Sequence, residues 1–368
     1  MELLLIAQSA RMLAQSAVRA GFLPYAIDFF ADSDTRQLTK QCVAALSDAE
    51  GFEEASLLHW VTQFAHCHDE CALVFGTGVD TRPLLVEKLA QICKILGNSA
   101  VTLSLINNPR NFFPLLSQVG IPCPETRFAL PNSIEGWLVK PGHGQGGMSV
   151  SLIADDPFRP KDAYFQRYVL GAVFSMLFLA NGKDVQAIGF NTQWSAKHDP
   201  DQPFLFAGAI NRAELNNSQR STVEDYARKL TVETGLIGLN SLDFVVENNE
   251  CLVLEINPRP SATMALYDED FHRGLLALHI AACLGEWPIL GQRASPVRAM
   301  RIVYSPRALT IPVGFHWPKG CADIPDSGKR IDAGEPLCSV LVQAESSQNA
   351  ETLVKSLENN LLLSLCNH

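Results

Sequence analysis

The chain has 368 residues, is 47% apolar and carries a formal net charge of -10. That length supports two or three packed domains, each with its own core, and the acidic balance disfavours nucleic acid and anionic lipid, which reward clustered Lys and Arg. The ten cysteines are scattered singly through apolar segments, which suits reduced thiols in a cytoplasmic protein and shows no disulfide framework.

The opening Met1-Glu2-Leu3-Leu4-Leu5-Ile6-Ala7 carries an acid where a signal peptide has basic residues and is too short to span a membrane. It reads as a buried strand. A helix from Arg11 to Ala20, stopped by Gly21, and a strand from Tyr25 to Phe30 complete a βαβ unit. A helix from Ala55 to Cys67, a strand from Cys71 to Phe75 and a helix from Pro83 to Leu96 continue the alternation, which predicts a parallel α/β domain over residues 1–98. Within it, Gly76-Thr77-Gly78-Val79-Asp80 is either an anion cradle at a strand end or a simple tight turn. His66, Cys67, His68 and Cys71 have metal-ligand chemistry but no second pair at zinc spacing, so a helix end entering a strand is the better reading.

Residues 97–111 read as a connection, and Leu115 to Gly120 as a short helix closed by glycine and by Pro122 and Pro124. From Trp137 onward strands dominate, apart from helices at Thr222 to Thr234 and Thr263 to Leu284. A second domain is placed at residues 99–290, and a β-rich closing segment with a final helix at 291–368.

The stretch Leu138 to Val150 sets Lys140 at the end of one strand and Gly142, Gly144, Gly146 and Gly147 before another. The lysine precedes the glycines, so this is not a Walker A loop. It reads as a mobile flap whose amides close on a polyphosphate while Lys140 supplies a compact cation; a solvent-exposed hairpin is the plain alternative. The strand Tyr164 to Gly171, through Gln166, Arg167, Tyr168 and Val169, offers backbone groups to a purine edge and apolar side chains to its faces. Arg212 ends the apolar strand Phe206 to Asn211 and suits a phosphate or carboxylate, or is an ordinary edge-strand arginine.

The most informative segment is Leu252 to Pro260, an apolar strand that ends in polar residues at alternating positions. Glu255, Asn257 and Arg259 project to one face, with Leu254, Ile256 and Pro258 on the other. Upstream, Ser241 to Val246 is a second apolar strand, interrupted by Asp243, and Glu247 to Glu250 reads as the hairpin turn between them. Oxygens from Asp243, Glu255 and Asn257 suit magnesium, which takes the rest of its shell from water and substrate phosphates; the plain reading is the wet face of a hairpin. A two-residue Asn248-Asn249 turn would pair Asp243 with Leu254 and put Asp243 on the wrong face, so a bulge or an odd-length loop is required.

Taken in order, Lys140, the glycine loop, Gln166 to Val169, Arg212, Asp243 and Glu255 with Asn257 resemble the ATP-grasp superfamily of carboxylate-amine ligases, over nearly all of the chain. The resemblance implies the ATP-grasp fold, an α/β (α+β) architecture. Residues 1–98 would form the Rossmann-like preceding domain, nucleotide would lie between two subdomains of 99–290, and Ile302 to Ala344 would belong to a carboxylase-like β-rich tail. It implies ATP held by Lys140, Gly144, Gly146, Gly147, Gln166, Arg167, Tyr168 and Val169. Mg2+, as two ions and with Mn2+ as the alternative, would be held by Asp243, Glu255 and Asn257, with Arg212, Arg259 and Lys140 as catalytic cations. Arg167, and Phe174 at the expected place of a ribose-binding acid, depart from the family pattern.

A narrower likeness rests on Ser9 to Ala17 with Asp28, Asp32 and Asp34-Thr35-Arg36. These look like the ATP-grasp proteins of the tetrahydromethanopterin and methanofuran-type one-carbon pathway of methylotrophic bacteria, whose relatives include tyramine-glutamate ligase. The implied reaction is ADP-forming: a substrate carboxylate becomes an acyl phosphate and an amine converts it to an amide. An ATP-dependent carboxylase using bicarbonate and a non-catalytic nucleotide-binding regulator are the alternatives. Expected partners are small-molecule carboxylates and amines, without nucleic acid or membrane, and with a homodimer left open.

Overall fold

A computed structural model describes residues 1–49, 51–153, 162–196, 202–291 and 295–366. The N-terminal part alternates β1 (Glu2–Ile6), α1 (Arg11–Arg19), β2 (Tyr25–Asp28), α2 (Ser33–Gln37) and β3 (Gln41–Ala44). A minor pair, β4 (Ser47–Asp48) and β5 (Gly51–Phe52), precedes α3 (Glu54–His66), β6 (Cys71–Phe75), α4 (Pro83–Ala90) and β7 (Lys94–Ile95). The five-stranded sheet has the order β3-β2-β1-β6-β7 and is parallel throughout. Its central strands are continuous apolar runs because both faces are covered. Leu3 and Leu5 pack towards Leu13, Ala14 and Ala17 of α1, whereas Leu4 and Ile6 pack towards Leu57 and Val61 of α3 and Leu85 and Leu89 of α4.

Residues 97–111 are more ordered than a connection. They contain α5 (Ala100–Ile106) and the start of α6 (Pro109–Gln118). The signals are local: the Ser99 hydroxyl accepts Thr102 N at 3.2 Å, and the Asn108 side chain accepts Arg110 N at 3.0 Å ahead of Pro109 at the first helical position. The helix expected to reach Leu96 stops at Ala90, and residues 94–95 join the sheet instead.

Beyond this lie β8 (Thr126–Arg127), β9 (Trp137–Lys140), β10 (Ser151–Leu152) and β11 (Tyr164–Arg167), which form a four-stranded sheet of order β10-β9-β11-β8. The glycine loop joins β9 to β10. The large sheet contains β12 (Val173–Asn181), β13 (Val185–Ser195), β14 (Phe206–Ile210), β15 (Ile237–Glu247) and β16 (Glu250–Asn257). Helix α7 (Asn217–Thr234) lies between β14 and β15 and begins five residues earlier than expected, at a capping box made by Asn216 and Gln219.

The expected helix Thr263 to Leu284 is broken into 3-10 turns at Ala262–Leu266 and Asp268–Asp270, followed by α8 (Gly274–Cys283). Gly274 has φ +69°, and a Cβ there would lie 2.9 Å from Asp268 Oδ1. That carboxylate accepts the Ser16 hydroxyl, Leu275 N and Arg19 Nε, fastening the break to α1.

The tail contributes β17 (Val297–Tyr304), β18 (Leu309–Thr310), β19 (Cys321–Ala322), β20 (Arg330–Ile331), β21 (Pro336–Ala344) and α9 (Ser347–Cys366). β17, β21 and β19 extend the large antiparallel sheet, whose order is β16-β15-β12-β13-β14-β17-β21-β19. One face of this sheet carries Phe174, Met176, Phe178 and Phe244 against α6 and α7. The other carries Leu177, Leu179, Leu239 and Met300 against α8 and α1.

On that second face, Glu255, Asp243, Ser175 and Asn191 stand in one cross-strand row. The polar row therefore begins where the cover of α8 ends.

The segments Ser9 to Ala17 and Asp28 to Arg36 meet the tail. Asp323 accepts the Ser9 hydroxyl at 2.8 Å and Arg11 Nε at 3.2 Å, while Asp34 accepts Asp323 N and Ile324 N, both at 2.9 Å. Burial pushes the Asp28 carboxyl up to about 6, against three backbone N–H donors, and Asp32 up to about 7, against Lys329.

Folded-state pKa values above the unfolded ones stabilise below the unfolded pKa, and the contribution is lost as pH rises through the folded pKa. Melting temperatures of wild type and Asp32→Asn from pH 4 to pH 8 should show the advantage of wild type shrinking as pH rises. A constant difference would contradict the shift.

Candidate active site

The β15–β16 hairpin closes through Asn248 and Asn249, both in the left-handed region at φ 49° and 68°, with Glu247 paired to Glu250. This is the two-residue turn. The required bulge is present: Phe244 pairs with Val253 but Asp243 pairs with Glu255, leaving Leu254 as the extra residue. The bulge brings both carboxylates to one face. It also corrects the placing of Leu254, which packs with Val169, Val245 and Leu252 on the site's side of the sheet.

Asn257 Nδ2 donates to Asp243 Oδ2 at 3.3 Å, whereas Asp243 Oδ1 is buried with no hydrogen-bond donor. Burial, and next the charge of Glu255, push Asp243 up to about 7, with Gln193, Arg259 and Asn257 acting in the opposite sense. A buried acceptor without a donor, beside a second carboxylate and an amide oxygen, is a donor set that fits a hard divalent cation.

Lys140 donates to Gln166 Oε1 at 2.9 Å, and Gln166 Nε2 donates to the Thr126 hydroxyl at 3.1 Å. Burial lowers the Lys140 pKa while Glu255 and Asp243 hold it up, so the lysine belongs to the same electrostatic group. Gln166, only 1% exposed, thus holds Lys140 with its side chain. Val169 joins Val245, Leu252, Leu254 and Val173 in an apolar slot beside the carboxylates. Tyr168 sits half-exposed, edge-on to Phe204.

The N–H groups of Arg167 and Tyr168 are taken up by Glu125 O and Gly136 O. The Arg167 side chain turns outward, bonding Glu135 O at 2.9 Å over the Trp137 ring. Phe174 packs on the opposite face from Asp243, against Phe244, because strand residues alternate sides.

The glycine loop is seated. Phe206 N donates to Gly146 O at 2.7 Å, and at Gly147 a Cβ would lie 1.9 Å from Phe204 O. Gly146 and Gly147 have φ 57° and 75°, and a Cβ on Gly144 would press on Pro141 at 2.8 Å.

Arg259 is 7% exposed and donates from Nε to Asp80 Oδ2 at 3.0 Å and from Nη2 to Asn257 Oδ1 at 2.9 Å. Arg212 donates to the carbonyls of Asn211 and Ser295 at 2.7 Å each. The sequence offers Asp80 only as part of a possible anion cradle or a tight turn, and gives Gln145 no role of its own. Asp80 followed the glycines at a strand end, but its partners, 65 and 179 positions away, are visible only in three dimensions. Among the described residues no group of three or more His, Cys, Asp or Glu forms a metal cluster, and His66 does end a helix shortly before the β6 strand opens at Cys71.

Residues 106–263 match the family model of the ATP-grasp domain. The fold is the ATP-grasp fold.

Several solved structures agree with this fold over nearly the whole chain. The biotin carboxylase domain of 2-oxoglutarate carboxylase from Hydrogenobacter thermophilus, in complex with MgADP, ADP and bicarbonate, has a TM-score of 0.75 at 13% identity, covering 96% of this chain and 89% of that one. The L-amino acid ligase from Bacillus licheniformis gives 0.71 at 14%, covering 98% and 97%. The N5-carboxyaminoimidazole synthetase from Staphylococcus aureus, complexed with ADP, gives 0.69 at 15%, covering 97% of each chain. Identities this low speak for the ATP-grasp fold alone. No helix among the described residues is long and apolar enough to cross a membrane.

Glu255 is exposed on its strand, so Glu255→Gln should change stability by less than about 1 kcal/mol while removing a ligand charge. Titration calorimetry should show Mg2+-dependent tightening of ADP binding in wild type and its loss in the variant. Unchanged tightening would remove Glu255 from the metal site.

Proposed function

We propose that the protein is an ATP-dependent carboxylate-amine ligase, ADP-forming, in which a substrate carboxylate is activated as an acyl phosphate and captured by an amine. The observation that carries this reading is the buried Asp243 carboxylate, whose Oδ1 has no donor, set beside Glu255 and facing Lys140 and a seated glycine loop. Asp243, Glu255 and Asn257 would hold Mg2+, as one ion or two, which offsets phosphate charge when bound. Mn2+ would fit the same oxygens.

The chain's own residues supply the rest. Lys140, fixed by Gln166, presents its ammonium to phosphate oxygens. The backbone of Gly144 to Gly147 covers the phosphates and excludes water, to which an acyl phosphate is lost. The slot of Val169, Val245 and Leu252 takes the apolar faces of adenine. Arg259, whose Nε is held by Asp80, orients Asn257 and offers positive charge at the crevice. Positioning and electrostatics are enough for this chemistry, and no protein nucleophile is needed.

The likeness to an L-amino acid ligase supports amide formation, and the narrower sequence resemblance supports addition of glutamate or another amino acid in one-carbon cofactor biosynthesis. The bicarbonate-bound neighbour favours a second reading, ATP-dependent carboxylation. The intact set Lys140, Asp243, Glu255 and Asn257 argues against a non-catalytic nucleotide binder.

The test is Mg2+-dependent release of ADP and phosphate with amino acids supplied singly and with tyramine or other amines, beside a bicarbonate arm. Release that needs both a carboxylate and an amine supports the ligase; release with bicarbonate alone replaces it by the carboxylase. In the productive mixture Lys140→Ala should lower kcat/KM for ATP by about 100-fold, the loss of one charge-assisted phosphate contact. An unchanged value would take Lys140 out of the site.

A further inference from the structure

Asp80 lies just beyond the carboxyl end of β6, 3% exposed, and its two oxygens serve different parts of the molecule. Oδ2 accepts Arg259 Nε at 3.0 Å. Oδ1 accepts Gly78 N at 3.0 Å and Gln145 Nε2 at 2.9 Å. Gln145 belongs to the glycine loop, and its own Oε1 accepts Gln8 Nε2, from just past β1, at 3.3 Å. On the other side Arg259 Nη2 donates to Asn257 Oδ1, and Asn257 Nδ2 donates to Asp243 Oδ2.

A continuous path of hydrogen bonds therefore runs Gln145–Asp80–Arg259–Asn257–Asp243, from the loop over the phosphates to the carboxylate beneath them. A purely structural buried pair gains most when arginine engages both carboxylate oxygens. Here only one oxygen meets Arg259 and the other is given to the loop.

We propose that Asp80 is a positioning residue that couples seating of the glycine loop to occupation of the Asp243–Glu255 metal site. The proposal rests on reading that pair as the metal site for a bound nucleotide. Asp80 acts through Arg259 and Gln145. A metal drawing on Asn257 and Asp243 changes the demands on Arg259, hence on Asp80, hence on the acceptor that Gln145 finds. Coupling of this kind is reciprocal: metal favours the seated loop, and the seated loop favours metal. Such a device keeps phosphoryl transfer from starting under an open loop.

Removing Asp80 would leave a buried arginine without its counter-charge and risks unfolding, so the test uses Gln145, which is half-buried on a loop. Hydrogen exchange of residues 141–149 is followed in the full chain with ADP alone and with ADP plus Mg2+, for wild type, Gln145→Ala and Gln8→Ala. Melting temperatures and ADP affinities are recorded for each.

Wild type should slow loop exchange at least about threefold when Mg2+ is added to ADP. Gln145→Ala should lose that increment, and Gln8→Ala, which keeps the Gln145–Asp80 bond, should retain most of it. An unchanged increment in Gln145→Ala, or none in wild type despite MgADP binding, overturns the coupling and leaves the metal site standing. Failure of wild type to bind MgADP at all overturns the functional reading and this inference with it.

Discussion

The site depends on one extra residue in a hairpin. Without the bulge at Leu254, the two-residue Asn248-Asn249 turn would set Asp243 opposite Leu254 and send Glu255 to the far face, into the cluster of Phe174, Phe244 and Val253. With it, two carboxylates share one face at the point where α8 stops covering the sheet. The same bulge carries Leu254 across to the apolar slot, so a single insertion completes that slot and gathers the two carboxylates together. The electrostatic cost is visible in Asp243, whose proton is held into the neutral range by burial and by Glu255.

That cost is local, and the surrounding structure is arranged to offset it from three directions. Lys140 comes from the small sheet, Arg259 from the end of β16, and Asn257 lies between the carboxylates and the guanidinium. The N-terminal parallel sheet takes part through the carboxyl ends of its strands, where open α/β sheets hold ligands. From there Gln8 and Asp80 reach the glycine loop and Arg259. The acid-rich contact between Asp28 to Arg36 and the tail around Asp323 to Lys329 docks the tail onto the N-terminal part through residues other than the carboxylate pair, Lys140 and the glycine loop.

Much of this was legible in the sequence where a local rule decides the outcome. The β6 strand was read at Cys71 to Phe75 because it is a short apolar run bounded by polar residues and glycine. The need for a bulge followed from counting the turn against the faces of Asp243 and Glu255. The misses have equally specific causes. α5 and the first turns of α6 were hidden because their caps, Ser99 and Asn108, are single polar residues in a stretch without long periodicity. The break before α8 depends on Gly274 meeting Asp268 and Ser16, the last more than 250 positions away, a contact that no window of sequence contains. Gln166 was assigned to a purine edge by its strand, but its side chain holds Lys140 through cross-strand neighbours. The Gly76 to Asp80 segment suggests an anion cradle or a turn, but Gln145 and Arg259, the partners of Asp80, come from distant parts of the chain and are visible only once these meet.

The central claim is that Asp243, Glu255 and Asn257 hold a divalent cation beneath the glycine loop with a nucleotide phosphate as its remaining ligand. Crystals grown with ADP and Mn2+ test it most directly, because manganese is located independently by its anomalous scattering. A peak bridging Asp243 and Glu255, with the diphosphate between it and Gly144 to Gly147 and with Lys140 on a phosphate oxygen, is the predicted result. Manganese elsewhere, or ADP bound away from the Val169, Val245 and Leu252 slot with the carboxylate pair bare, would contradict the account.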